Sequence, residues 1–121
     1  MAKILIVDDE PIVHRLLQHH LERAGYELLA ATNGLEAIEL ATREEPQLIV
    51  MDVMMPEMDG FTTMSHMRQL PKFKKQPIVA LTAKAMKGDR EKCIEAGASD
   101  YIAKPVNSAH LLTMLRAWLT G

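Results

Sequence analysis

Five short apolar runs punctuate the chain, at 4–7, 27–31, 48–51, 78–81 and 101–103. Between them the apolar residues recur at helical spacing. Ile12, Val13, Leu16, Leu17, Leu21 and Ala24 make one such face; Leu35, Ala37, Ile38, Leu40 and Ala41 a second; Phe61, Met64, Met67 and Leu70 a third; Leu111, Met114, Leu115, Trp118 and Leu119 a last. The segment 85–96 is weaker, with Met86, Cys93 and Ile94 as a thin stripe and Gly88 costing about 1 kcal/mol relative to alanine in a helix. This fourth helix is expected to be marginal and movable. Strands that read as unbroken apolar runs are buried on both faces, and intervening helices are the natural crossovers of a parallel sheet. The pattern predicts a doubly wound α/β sandwich, (βα)5. Punctuation agrees with it: Pro11 suits a first helical turn, Gly25 and Gly97 suit helix ends, and Gly34 and Gly60 mark turns into helices 2 and 3.

Composition narrows the classes without choosing a function. The 121 residues leave room for one domain, 1–121, with a core of its own. A net charge of −2 with 25% charged and 48% apolar residues is that of an ordinary globular protein, and no basic field argues for nucleic acid. The single cysteine, Cys93, excludes an internal disulfide framework and suits a reducing cytoplasm. No apolar run approaches the roughly 20 residues of a membrane span. A cytoplasmic protein is expected.

The chemistry lies where the apolar runs stop. Asp8 and Asp9 follow the first, Asp52 ends the third, Thr82 the fourth, and Lys104 follows the fifth. In open parallel sheets, sites form at this carboxyl edge. Aspartate is a poor strand residue, and burying it without partners costs several kcal/mol. Converging aspartates repel one another unless cations are supplied. Lys104 brings one positive charge, and a hard divalent cation such as Mg²⁺, which favours oxygen ligands, would bring two. A carboxylate beside such charges can attack phosphorus and form an acyl phosphate. The cluster therefore reads as a phosphoryl acceptor.

Four motifs, in order and at strand ends, carry a resemblance: Ile-Leu-Ile-Val-Asp8-Asp9-Glu, Leu-Ile-Val-Met-Asp52-Val-Met-Met-Pro-Glu-Met-Asp-Gly, Ala-Leu-Thr82-Ala, and Ala-Gly-Ala-Ser-Asp-Tyr101-Ile-Ala-Lys104-Pro105. Over essentially its whole length the sequence resembles the receiver domain of two-component response regulators. The resemblance implies a flavodoxin-like three-layer sandwich with parallel strand order 2-1-3-4-5 and a cis Lys104-Pro105 bond. It implies that Asp52 takes a phosphoryl group from a histidine kinase or a histidine phosphotransfer protein. Asp9, Asp52 and the Met54 carbonyl would ligate Mg²⁺, with Asp8 holding it through water. Thr82 would bond to the phosphoryl group, Lys104 would pair with it, and Tyr101 would turn inward as Thr82 moves. Met54 and Lys84 are where the family tunes the phosphoryl lifetime. The surface of helix 4, strand 5 and helix 5 is the expected output face, working through a protein contact or onward phosphotransfer.

Plainer roles are expected elsewhere. Pro11 at the first helical position makes Glu10 the cap of helix 1, and Asp59 suits a turn or cap before helix 3. His14, His19, His20, His66 and His110 share no metal-site spacing and suit surface or packing roles. Lys72-Phe73-Lys74-Lys75 reads as a solvated loop, the methionines as core filler, and Trp118 with Leu119 as core. Two rivals differ in class. An aspartate-nucleophile phosphatase would need a second carboxylate as general acid where Met54 stands; an unphosphorylated docking scaffold would not need the chemical positions that are all filled here. The chain is expected to catalyse only its own phosphotransfer and dephosphorylation. It is read as carrying no output domain after helix 5, as standing alone or belonging to a longer protein, and as a monomer or weak phosphorylation-dependent dimer. Its run after Thr82 looks more similar to receivers of hybrid kinases and single-domain relays than to those of transcription factors.

Overall fold

Alternating side-chain direction along β-strands decides which residues meet which helices. The structure, a computed structural model, describes residues 2–55, 59–82 and 89–120. Its elements are β1 (Lys3–Val7), α1 (Pro11–Arg23), β2 (Glu27–Ala31), α2 (Gly34–Glu44), β3 (Leu48–Asp52), α3 (Gly60–Arg68), a 3-10 turn (Pro71–Phe73), β4 (Ile78–Thr82), α4 (Asp89–Ala96), β5 (Asp100–Ala103) and α5 (Ser108–Thr120). The strands form one parallel sheet in the order β2-β1-β3-β4-β5. This is the flavodoxin-like order expected from the resemblance.

Odd and even strand positions feed opposite layers. Ile4, Ile6, Leu48, Val50, Val79, Leu81 and Ile102 pack with Leu17 and Leu21 of α1 and Leu111 and Leu115 of α5. Leu5, Val7, Ile49, Met51, Ile78 and Ala80 pack with Ala37 and Ala41 of α2, Met64 and Met67 of α3 and Cys93 of α4. Register carries the strand ends to one edge: Val7 lies opposite Met51, Asp52 opposite Leu81, and Thr82 opposite Ala103.

Several expectations need correction. Burial on both faces holds for β3 and β4, whereas β2, an edge strand, leaves Glu27 and Ala30 exposed. On α1 only Leu17 and Leu21 are buried, and Ile12 and Leu16 stand 72% and 43% exposed. Trp118 is 40% exposed rather than core, its indole N–H donating to Asp100 Oδ2 at 3.1 Å. The lysine-rich segment is not simply solvated: Phe73 is buried, and Lys72 donates to the Thr42 carbonyl at 2.6 Å, satisfying a carbonyl at the end of α2. The expected start of helix 4, with Met86 and Gly88, and the lifetime position Lys84 lie outside the described residues. Within α4, Cys93 is buried and Ile94 is 48% exposed, a thin stripe as expected. The Lys104-Pro105 bond is cis.

Candidate functional site

β1 ends in Val7, and Asp8 is carried one step beyond it, fully buried. Asp8 Oδ1 accepts the backbone N–H of Glu10 at 2.8 Å, which folds the chain back toward α1. Asp9 and Glu10 are left exposed at the rim. Glu10 does occupy the N-cap position of α1, but its side chain makes no cap hydrogen bond. It reaches instead across the edge to Lys104, 94 residues away, at 2.9 Å. Glu10 thus holds the N-cap position as expected, and the Asp8 side chain, bonded to the Glu10 N–H, is not the cap of α1.

Asp52 closes β3 with 1% of its surface exposed. Its Oδ1 accepts the N–H of Met54 at 2.9 Å, and its Oδ2 lies 3.4 Å from the Lys104 ammonium. Met54 turns its side chain outward, 64% exposed. Gly60, the first residue of α3, lies directly against this strand end. A Cβ there would strike the Asp52 carbonyl oxygen and sit 2.6 Å from Val53 Cα, so only glycine lets α3 approach the acceptor strand this closely. Asp59 caps α3 through the N–H of Thr62 at 2.8 Å, as expected.

Ligand oxygens of Asp8, Asp9, Glu10 and Asp52 can all lie within 4.8 Å of one another. Against four carboxyl groups, Lys104 supplies the one ammonium that pairs with them among the described residues, 3.0 Å from Asp8 Oδ2 and 2.9 Å from Glu10 Oε1. Burial works against its charge, but the Glu10 hydrogen bond and the Asp8 and Asp52 carboxylates outweigh it and raise the Lys104 pKa above the usual lysine range. Burial, reinforced by the Asp8 charge, raises the Asp52 pKa, while the Met54 N–H and Lys104 pull it back. The cluster is thus short of positive charge.

Thr82 Oγ1 is buried with no hydrogen-bond partner among the described residues, and Asp8 Oδ2, equally buried, has only the Lys104 ammonium beside it. Such atoms are costly unless something else engages them. An all-oxygen set of four carboxyl groups, two of them buried and sharing one ammonium, fits a hard divalent cation, and Thr82, 1% exposed at the end of β4, has a hydroxyl without a partner among the described residues that can follow an added anion. Tyr101 is half-buried on β5 and lines an open groove of about 520 Å³ with Asp100, Ala103, His110 and Met114. The expected site residues Asp8, Asp9, Asp52, Thr82 and Lys104 thus meet at one edge, with Met54 beside them and Tyr101 on the neighbouring face. Sequence reasoning passed over Glu10, taken only as a cap although it extends the run Asp8-Asp9, and His14, whose Nε2 lies 2.6 Å from the Asp8 carbonyl. The exposed His19, His66 and His110 keep the surface roles expected of them.

Comparison with known proteins agrees with this geometry. The family model for the response regulator receiver domain matches residues 4–116. The alkaline phosphatase synthesis transcriptional regulatory protein PhoP of Bacillus subtilis is 42% identical over 117 residues, covering 97% of this chain and 48% of that protein. The chain spans about half the length of the transcriptional regulators it matches. The receiver domain of a signal transduction histidine kinase from Syntrophus aciditrophicus superposes with a TM-score of 0.92 at 35% identity, covering 100% of this chain and 92% of that one. That of the sensor histidine kinase PA1611 from Pseudomonas aeruginosa, solved with a magnesium ion coordinated in its active-site cleft, gives 0.91 at 35% identity, covering 99% and 98%. Receivers of transcriptional regulators and of kinases therefore both occur among the matches. Among the described residues, no helix is long and apolar enough to cross a membrane.

Proposed function

The chain belongs to the response regulator receiver family of two-component systems, and from that premise we propose that it is a switch phosphorylated on Asp52 by a histidine kinase or histidine phosphotransfer protein. The observation that carries this reading is the buried Asp52 carboxylate, held by the Met54 N–H in an edge cluster of acids with Lys104 at 3.4 Å. An Asp52 oxygen attacks the phosphorus of a phosphohistidine; the P–N bond breaks, the imidazole leaves, and an acyl phosphate forms. Asp8, Asp9, Asp52 and the Met54 carbonyl are the groups that would hold Mg²⁺, which supplies charge neutralisation at the transferring phosphoryl group. Lys104 gives up part of its contact with Glu10 and Asp8 to pair with the new anion, and the Thr82 hydroxyl, without a partner among the described residues, donates to it. Because strand 4 ends at Thr82, this movement is felt next at α4 and at Tyr101, on the face proposed for output.

A protein phosphodonor has a place to sit. Ile12, Val13 and Leu16 of α1 form, with Pro105 and Val106, an apolar groove of about 500 Å³ whose rim is Glu10 and Lys104. An exposed apolar surface bordering the acceptor suits a donor that must bring its histidine to Asp52. The chain acts on no external phosphoester in this reading, since Met54 provides no acid for the leaving group. Incubation with Mg²⁺ and acetyl phosphate is expected to add one phosphoryl mass to the intact protein, and Asp52→Asn to prevent it. An unchanged wild-type mass would sink the proposal.

A further inference from the structure

Asp8 has four polar groups, and each has a partner. Its N–H donates to the Ala31 carbonyl at 3.1 Å, its Oδ1 accepts from Glu10 at 2.8 Å, and its own carbonyl oxygen lies 2.6 Å from His14 Nε2. Its buried Oδ2 faces the Lys104 ammonium at 3.0 Å. The carbonyl needs a remote donor for a local reason. Three residues on, the N–H that would close a turn onto it is missing, because residue 11 is a proline at the start of α1. The backbone N–H groups of Val13 and His14 go to Glu10 rather than to Asp8. A carbonyl can only accept, so Nε2 of His14 carries the proton.

We infer that His14 is a positioning residue for the cation site: its Nε2–H pins the Asp8 carbonyl and so fixes the Asp8–Asp9 peptide plane, which aims both aspartates. The inference rests on the reading that these carboxylates hold a divalent cation. A peptide plane turns as a unit. Freeing the carbonyl at one end of this one would swing Asp9 at the other, and with it a proposed ligand. Tight packing is not what orients the imidazole, which borders a cavity of about 150 Å³ with Gln18, Glu22 and Leu28. Groups that orient metal ligands from behind commonly change affinity by about 10- to 100-fold when lost.

The test is a calorimetric titration of Mg²⁺ into the wild-type, His14→Leu and His14→Gln chains, with melting temperatures measured in EDTA. His14→Leu should bind Mg²⁺ about tenfold more weakly, at the low end of that range. His14→Gln, whose terminal amide N–H reaches as far as Nε2, should recover most of the loss. Wild-type affinity in His14→Leu would overturn the assignment, and so would equal weakening in both variants, since the donor would then not be the cause. Should His14→Leu fail to fold, His14→Asn replaces it: its shorter amide should also weaken binding, and full affinity there overturns the role. Nitrogen NMR of the wild-type ring should report the Nε2–H tautomer, and an Nδ1–H tautomer would overturn the hydrogen bond itself. A wild-type chain that takes up no Mg²⁺ overturns the cation reading and this inference with it; Mg²⁺ uptake with an unaffected His14→Leu overturns the inference alone.

Discussion

The two layers on either side of the sheet are built from different side chains. Beneath α1 and α5, every fully buried residue of the cluster is isoleucine, leucine or valine, among them Ile4, Ile6, Leu17, Leu81 and Leu115. Beneath α2, α3 and α4 the cluster includes Met51, Met55, Met64 and Met67 together with Ala37, Ala41, Ala80 and Cys93. Branched side chains have few rotamers and hold one packing, whereas the unbranched thioether of methionine fits several. The adaptable layer is the one α4 rests on, next to the end of β4 that carries Thr82. The stiffer layer backs α1, which presents Ile12 and Leu16 at the proposed donor groove. A switch needs one side that yields and one that holds its shape for docking. The sharpest way to break this comparison is to disturb each layer once. Leu17→Ala in the stiff layer should cost about 3 kcal/mol, because a cavity is left among residues that cannot refill it. Met67→Ala in the other should cost about 2 kcal/mol, at the low end for such truncations, because the neighbouring methionines can partly refill the space. Urea unfolding measures both, and equal losses would show that the layers do not differ in the way their composition implies.

At one point the adaptable layer is rigid. Gly60 sets α3 directly on the backbone of Asp52 and Val53, with no side chain between to give way. Gly60→Ala should destabilise the fold by about 1–3 kcal/mol through overpacking. It should also slow labelling by acetyl phosphate, by up to about 100-fold if the acceptor strand end shifts by 1 Å. Intact-mass time courses on the folded variant check this. A wild-type labelling rate would mean that α3 does not set the position of Asp52, and the softness of its layer would then extend to the site.

How far the sequence could carry this picture depended on whether a feature was local. Each strand and each of Asp8, Asp52, Thr82 and Lys104 was legible because a polar residue directly followed an apolar run, and the period of that run says where the sheet ends. Strand order came through resemblance to a family rather than through periodicity. The run Leu28-Leu29-Ala30-Ala31 looks as buried as Leu48-Ile49-Val50-Met51, and only the pairing that leaves β2 on an edge separates them. The bond from Lys104 to Glu10 joins opposite ends of the chain, so neither local spacing nor propensity could choose it over capping. His14 has no metal-site spacing because it touches a ligand's backbone instead of the proposed cation. Its one local trace is Pro11, which removes the nearer donor.

The smallest expected effect concerns the charge of the site itself and has an unusual sign. Burial, reinforced by Asp8, raises the Asp52 pKa above its unfolded value. The native state therefore binds that proton more tightly than the unfolded chain does. The stability this gives is fully present below the unfolded carboxyl pKa and is lost as pH rises through the folded one. At neutral pH without Mg²⁺, the ionised carboxylate is then a net burden on the fold, and Asp52→Asn should melt at a higher temperature than the wild type. Lys104 keeps Asp8 and Glu10 as partners in that variant. The difference should close as pH falls below the ordinary carboxylate pKa of about 4, where the wild type is itself protonated. Added Mg²⁺ should narrow it from the other direction by stabilising the wild type more. Thermal melts at pH 7 and pH 4, each with EDTA and with Mg²⁺, check all three signs. A variant less stable than the wild type at pH 7 in EDTA would mean that pairing with Lys104 outweighs burial, and that the resting site is balanced without a cation.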